Sequence, residues 1–121
     1  MTSTGTGARL RLDTVYQVID RCDWPALEDL LHVDVIYERP GYDPLIGRDR
    51  VMRFYREERK VASGRHELHG VMQERDRAVC WGQMRGTLRD GSPAEVGFAD
   101  VYSFEDGKVR TRRSYFYQPA V

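Results

Sequence analysis

Apolar side chains recur along this chain at two different periods, and the change comes near Gly64. From about Arg9 to Cys22, Leu12, Val15, Tyr16, Ile19 and Cys22 stand three or four apart, the stripe of an amphipathic helix. Asp23 is placed to cap a second helix, with Pro25 in its first turn, where the missing N–H leaves no bond unmade. Leu27, Leu30 and Leu31 form the buried face of that helix, and His32 ends it, where a cationic side chain suits the dipole. Val33 to Arg39 is short and β-branched and ends at Pro40-Gly41, which reads as a strand followed by a loop. Gly47 precedes a third helix, with Val51, Phe54, Tyr55 and Ala62 as its stripe and Gly64 as its stop.

Beyond Gly64 the pattern alternates. His66 to Glu74, Arg77 to Leu88, Ala94 to Phe104 and Val109 to Tyr117 read as strands. The turns between them fall at Arg75-Asp76, Arg89 to Ser92 and Glu105 to Lys108, and Asp-Gly in the last two is a strong hairpin signal. The order helix, helix, strand, helix and then a meander predicts an α+β fold. A curved, mainly antiparallel sheet packs on three helices drawn from the N-terminal half. Between sheet and helices lies either a filled core or a pocket.

A chain of 121 residues suits one domain, expected over residues 9–121 behind a flexible Thr/Gly/Ser-rich arm at 1–8. The 19 Lys+Arg balance 19 Asp+Glu, so the basic excess needed for broad nucleic-acid or anionic-membrane binding is missing. No apolar run approaches the ~20 residues of a membrane span, and the arm has no apolar segment of the secretory kind. Cys22 and Cys80 lie far apart and make neither a disulfide scaffold nor a zinc site, so a reducing cytoplasm is the expected setting. Neither looks like an activated thiol: Cys22 falls on the first helix's core stripe and Cys80 in mid-strand. Phosphate-binding loops, the nucleophile elbow, the paired-histidine zinc motif and the dinucleotide fingerprint are all absent from the sequence.

Asp100 carries the most chemistry. Val96, Phe98, Asp100, Tyr102 and Phe104 share one strand face, because side chains alternate. An ionised acid among such neighbours costs several kcal/mol, roughly, unless something pairs with it. It therefore either holds its proton and serves as a donor or general acid, or is bonded to a buried arginine or tyrosine. Tyr16 lies on the buried stripe of the first helix, and its hydroxyl needs a partner, for which Asp100 is suited. His66 and His69 are three apart on a strand, so they face opposite sides and cannot chelate one ion. His66 is the one taken as a possible acid/base, the alternative being a rim histidine.

Val79, Trp81, Gln83 and Arg85 share a face opposite Cys80, Gly82, Met84 and Gly86. Either Trp81 lines a cavity with Gln83 toward its mouth, or Met84 and Leu88 are core and Trp81 meets a partner subunit. Tyr37, Tyr55, Phe98, Tyr102 and Tyr115 complete the aromatic residues suited to line a pocket, though such stripes also serve as plain core. Lys108, Arg110, Arg112 and Arg113 read as a solvated cationic strand edge.

Several landmarks recur together: Asp23-Trp24, the run Tyr37 to Gly41, Gly47 before Phe54-Tyr55, Gly97 to Phe104, Asp106 to Val109, and Tyr115-Phe116. In this order and spacing they resemble the nuclear transport factor 2-like superfamily, and within it the SnoaL-like polyketide cyclases and ketosteroid isomerases. The resemblance implies a conical barrel with a deep pocket, homodimers formed through the outer sheet face, and no metal or organic cofactor. It implies a cofactor-independent cyclase, isomerase or dehydratase acting on a small apolar carbonyl-bearing, polyketide-like metabolite. Asp100 would then move the proton, and Tyr16 or Arg39 would stabilise the oxyanion. Other members of the fold are non-catalytic binding modules. The isomerases carry their proton-moving carboxylate just before the proline, where this chain has Arg39, and their first-helix tyrosine falls at Val15. Arg39 is suited instead to pair with Asp100, to hold a ligand's enolate or carboxylate, or to bridge to Asp43 or Asp49. Epoxide hydrolases of the fold place an arginine two residues before the strand acid, where this chain has Phe98.

Overall fold

A computed structural model of the protein describes residues 4–118, with side chains from residue 11 onward. Helices α1 (Thr4–Asp20) and α2 (Trp24–Leu30) lead into strand β1 (Leu31–Glu38), the short β2 (Leu45–Ile46) and helix α3 (Arg48–Arg53). The long strands β3 (Val61–Glu74), β4 (Arg77–Leu88), β5 (Pro93–Glu105) and β6 (Lys108–Phe116) follow. They form one six-stranded sheet in the order β2-β1-β6-β5-β4-β3. Every neighbouring pair is antiparallel except β1 with β6, which run parallel. The α+β class and the three helices packed on a curved sheet are as expected, but the sheet is open: β2 and β3 remain its edges. No helix among the described residues is long and apolar enough to cross a membrane.

The element boundaries differ from the sequence pattern at identifiable places. Residues 1–3 of the expected arm lie outside the described part, and residues 4–8 already belong to α1. Gly5 and Gly7 cost a helix about 1 kcal/mol each, too little to stop propagation from the stripe behind them. Cys22 is not on that stripe: the chain turns there with φ of 56°, and the thiol is exposed. The Asp23 carboxylate then accepts from the Ala26 N–H at 3.3 Å, the expected cap. Leu31 and His32 open β1 rather than close α2.

The third helix also stops early. Phe54–Glu58 form a wider π turn in which the Arg59 N–H reaches the Phe54 carbonyl at 2.8 Å. The extra residue in such a turn leaves the adjacent Phe54 and Tyr55 both buried. Strand β3 begins at Val61, so Ala62 is exposed on it and Gly64 is a strand residue.

The core lies between the helices and the inner sheet face. On β5 the alternation holds throughout, with Ala94, Val96, Phe98, Asp100, Tyr102 and Phe104 buried. On β4 the inward residues are Ala78, Cys80 and Met84, which leaves Trp81 on the outer face. Gly82 marks where β3 bulges between Leu68 and Gly70. A Cβ at Gly82 would lie 1.9 Å from the Glu67 carbonyl oxygen. Gly82→Ala is therefore expected to lose on the order of 3 kcal/mol in urea denaturation. Gly91→Ala, at φ of 89° with open space around it, should lose about 1–2 kcal/mol from backbone conformation alone.

Candidate functional site

Asp100 is 1% exposed and sits mid-way along β5, opposite Cys80 on β4 and Ser114 on β6. It is not alone. Arg112 donates to its Oδ2 from Nε at 3.2 Å and from Nη2 at 2.9 Å, and the Tyr16 hydroxyl donates to the same oxygen. Tyr102 in turn donates to the Tyr16 oxygen at 2.8 Å. Arg112 reaches the Tyr55 hydroxyl at 2.6 Å and lies 4.5 Å from the centre of the Tyr37 ring. Of the two readings of Asp100, the acid bonded to a buried arginine and tyrosine is the one realised.

The electrostatics follow from burial and this pair. Burial alone would lower the Arg112 guanidinium, but the Asp100 charge together with Tyr102, Tyr37 and Tyr55 outweighs it and holds Arg112 well above its usual value. Burial first, then the Asp100 charge, pushes the Tyr16 phenol well above its ordinary range, so Tyr16 keeps its proton and donates. The same two causes push the Cys80 thiol up to about 11, which leaves it without nucleophilic character near neutral pH.

Asp100 Oδ1 has no hydrogen-bond partner, although it is fully buried. Asp100 lies in the wall of a pocket of about 40 Å³, which also receives Tyr37, Arg39, Tyr55, His66 and Phe98. Such a volume holds a few waters or one small polar group. His66, on β3, is fixed by α1: Asp20 accepts from the His66 backbone N–H at 2.8 Å and meets the ring Nδ1 at 2.5 Å. A carboxylate on one imidazole nitrogen orients the ring and leaves Nε2 for a ligand. Sequence reading missed Asp20, whose position in the last turn of α1 gave no sign of its reach to β3. Arg39 also lines the pocket, with Nη1 donating to the Tyr37 hydroxyl at 3.1 Å and its guanidinium 4.6 Å from the Phe54 ring centre.

The remaining candidates separate. Tyr102 is core, packed under Tyr16, and does not line this pocket. Tyr16 acts through Asp100, its hydroxyl being committed to that carboxylate. Trp81 and Tyr115 stand 40% and 50% exposed on the outer sheet face, and Gln83 lies on the outside near Arg65 and Arg85. Strand parity puts all three outside, because Cys80, Met84 and Ser114 take the inside. His69 is exposed, as the three-residue spacing required. His32 sits 3.8 Å from both the Glu105 and Asp106 carboxylates at the far turn.

Arg112 overturns the cationic-edge expectation. β6 is not an edge, since β1 covers its other side. Counting back from the Glu105–Lys108 pair with no irregularity would set Arg112 opposite Val101, facing out. The observed register pairs Phe104 with Val109 but Ser103 with Thr111, so Arg110 is an extra residue and Arg112 turns inward opposite Tyr102. Arg112→Met should therefore cost about 3–5 kcal/mol by stranding a buried carboxylate, and an Asp100→Leu/Arg112→Met double variant should regain most of it. Urea denaturation reads both, and a single-variant loss under about 1 kcal/mol would mean that the pair does not carry the burial of Asp100.

Residues 12–111 match the family model described as a SnoaL-like domain. No curated protein matches the chain. Among solved structures, a nuclear transport factor 2-like protein of unknown function from Burkholderia pseudomallei superposes with a TM-score of 0.80 at 25% identity, over 89% of this chain and 88% of that one. An epoxide hydrolase of the LEH-like kind from M. tuberculosis gives 0.80 at 16% identity, over 93% and 84%. A protein of ketosteroid isomerase-like fold from Catenulispora acidiphila, solved with trimethylamine, gives 0.76 at 13% identity, over 87% and 83%.

Proposed function

The chain belongs to the SnoaL-like domain family, and from that membership and the pocket we propose a cofactor-independent acid/base enzyme, a cyclase, isomerase or dehydratase, acting on a small carbonyl-bearing metabolite. The fold family includes isomerases and cyclases. The observation that carries the reading is Asp100 Oδ1, a buried carboxylate oxygen without a donor, on a residue that lines the pocket. Leaving it unsatisfied costs about 1–3 kcal/mol or more, a deficit that a substrate proton relieves.

In this reading Oδ1 takes a proton from the carbon beside the substrate carbonyl. The C–H electron pair moves to the carbonyl oxygen, giving an enolate. Arg39 faces that oxygen, and a charged donor placed there lowers the barrier by ~3 kcal/mol. In an isomerisation Asp100 returns the same proton at a second carbon, so the carboxylate is regenerated and no atom is gained or lost. Tyr16 and Arg112 are positioning residues, fixing Oδ2 so that only Oδ1 faces the ligand.

A second reading, epoxide hydrolysis, draws on the Asp100–Arg112 pair: β6 supplies the arginine that β5 lacks at Phe98. Oδ1 would deprotonate a water that opens the ring. The non-catalytic binding module remains the third.

Small ketones and keto acids in D₂O should show protein-catalysed exchange of the protons beside the carbonyl, followed by NMR. Asp100→Asn should slow that exchange by about 10²–10⁴-fold with the fold intact. Exchange unaltered by Asp100→Asn would end the proton-transfer reading, and epoxide opening without any exchange would favour the second.

We also infer a homodimer through the outer sheet face, where Val79, Trp81, Val101 and Tyr115 are exposed together. Sedimentation should give twice the chain mass for the wild type and the chain mass for Trp81→Glu. A wild-type monomer would remove this inference.

A further inference from the structure

Arg59 ends the charged run Arg56-Glu57-Glu58-Arg59-Lys60, which by composition belongs in solvent. Its neighbours behave accordingly. Arg50 and Arg53 pair with Glu58, Arg56 pairs with Glu28, and Lys60 is exposed. Arg59 alone in this run is buried, at 6% exposure. The π turn causes this: its wide closure sends the Arg59 N–H back to the Phe54 carbonyl, and the Arg59 carbonyl accepts from Arg89 Nε at 2.6 Å. The backbone is held at both groups, and the side chain lines the same pocket as Asp100 and His66.

The guanidinium has no carboxylate partner there. Arg59 forms no ion pair among the described residues, and its one ring contact places it 5.7 Å from the Tyr55 centre. Burial lowers its affinity for a proton and the nearby Arg39 charge lowers it further, opposed in part by Tyr55, Cys22 and the Asp20 carboxylate. Arginine nonetheless stays charged in proteins. A buried cation with a second cation beside it is costly, and no carboxylate among the described residues stands within ion-pair distance to repay that cost in full. Arg112, by contrast, is fully compensated by Asp100. The wall of this pocket of about 40 Å³ therefore holds three arginines, Arg39, Arg59 and Arg112, and one carboxylate, which is already engaged by Arg112.

We infer that Arg59 anchors a carboxylate carried by the substrate, so that the pocket takes a small anionic carbonyl compound rather than a neutral apolar one. The assignment of that anion as substrate rests on the proton-transfer reading above. A planar carboxylate matches the guanidinium fork with two parallel hydrogen bonds, and the small volume admits a short acid. An anion held at Arg59 turns the rest of the same molecule toward Asp100 Oδ1 and His66.

The test uses the full chain titrated with sodium acetate at fixed ionic strength, followed by ¹H–¹⁵N spectra, with acetamide and inorganic phosphate as comparison probes. Acetate should bind, acetamide should not, and phosphate should bind more weakly than acetate. Arg59→Gln should raise the acetate Kd about tenfold or more without lowering Tm, because the variant removes an uncompensated buried charge. A merely structural arginine would instead lower Tm and leave acetate binding unchanged. If Arg59→Gln does not fold, Arg59→Lys carries the comparison: it keeps the charge without the fork and should weaken acetate severalfold. Equal binding of acetate and acetamide, tighter phosphate binding, or wild-type acetate affinity in the folded variant overturns the inference. Acetate binding at Arg59 without proton exchange would end the catalytic reading and leave the anion site standing. Exchange of neutral ketones as fast as keto acids would do the reverse.

Discussion

A carboxylate cannot be taken out of water unless something else carries its charge, and much of this fold is arranged around that requirement at Asp100. The alternation of β5 places the acid inside. A single extra residue in β6 rotates Arg112 to meet it, and α1 supplies Tyr16 from the opposite layer. The first helix and the last hairpin are thereby tied to one oxygen atom. The result is asymmetric: Oδ2 is saturated and Oδ1 is bare. That asymmetry separates an acid that only joins layers from one that can still accept a proton.

The pocket repeats the pattern with opposite sign. Arg112 is bonded to its counter-charge and Arg59, among the described residues, forms no ion pair, although both are buried arginines in one wall. Proteins tolerate such uncompensated groups where function uses them, and stability is given up locally for it. Asp20 serves differently. By holding both the backbone and the ring of His66 it fixes an imidazole in a site whose other walls are aromatic, aliphatic and charged side chains.

The fold was legible from the sequence because its signals are periodic and local: the α1 stripe, the Asp23 cap, the Asp-Gly turns and the unbroken alternation of β5. The identification of Asp100, Arg39, His66, Tyr37, Tyr55 and Phe98 as pocket residues came from the same alternation together with a family resemblance. What escaped was whatever depended on a one-residue irregularity or on long-range pairing. The bulge at Arg110 leaves no mark in composition, so Arg112 read as solvent-facing. The π turn after Arg53 buried Arg59 within a run that looks hydrated. Trp81, Gln83 and Tyr115 lie on the outer face because parity on β4 and β6 is set by register, which sequence alone left open. The first-helix cysteine fell off its stripe because the helix ended two residues early.

The parallel pairing of β1 with β6 has a consequence for how the chain comes together during synthesis. Antiparallel hairpins β3–β4–β5 close over short loops, but β1 must wait for β6, which follows only after β3, β4 and β5. Closing so long a loop is entropically slow. Until the ribosome has released β6, Asp100 lacks its guanidinium and β1 presents an open backbone edge. A nascent chain at that stage is exposed to mispairing with neighbouring polypeptides, so the arrival of β6 in the sheet is also what ends this vulnerability.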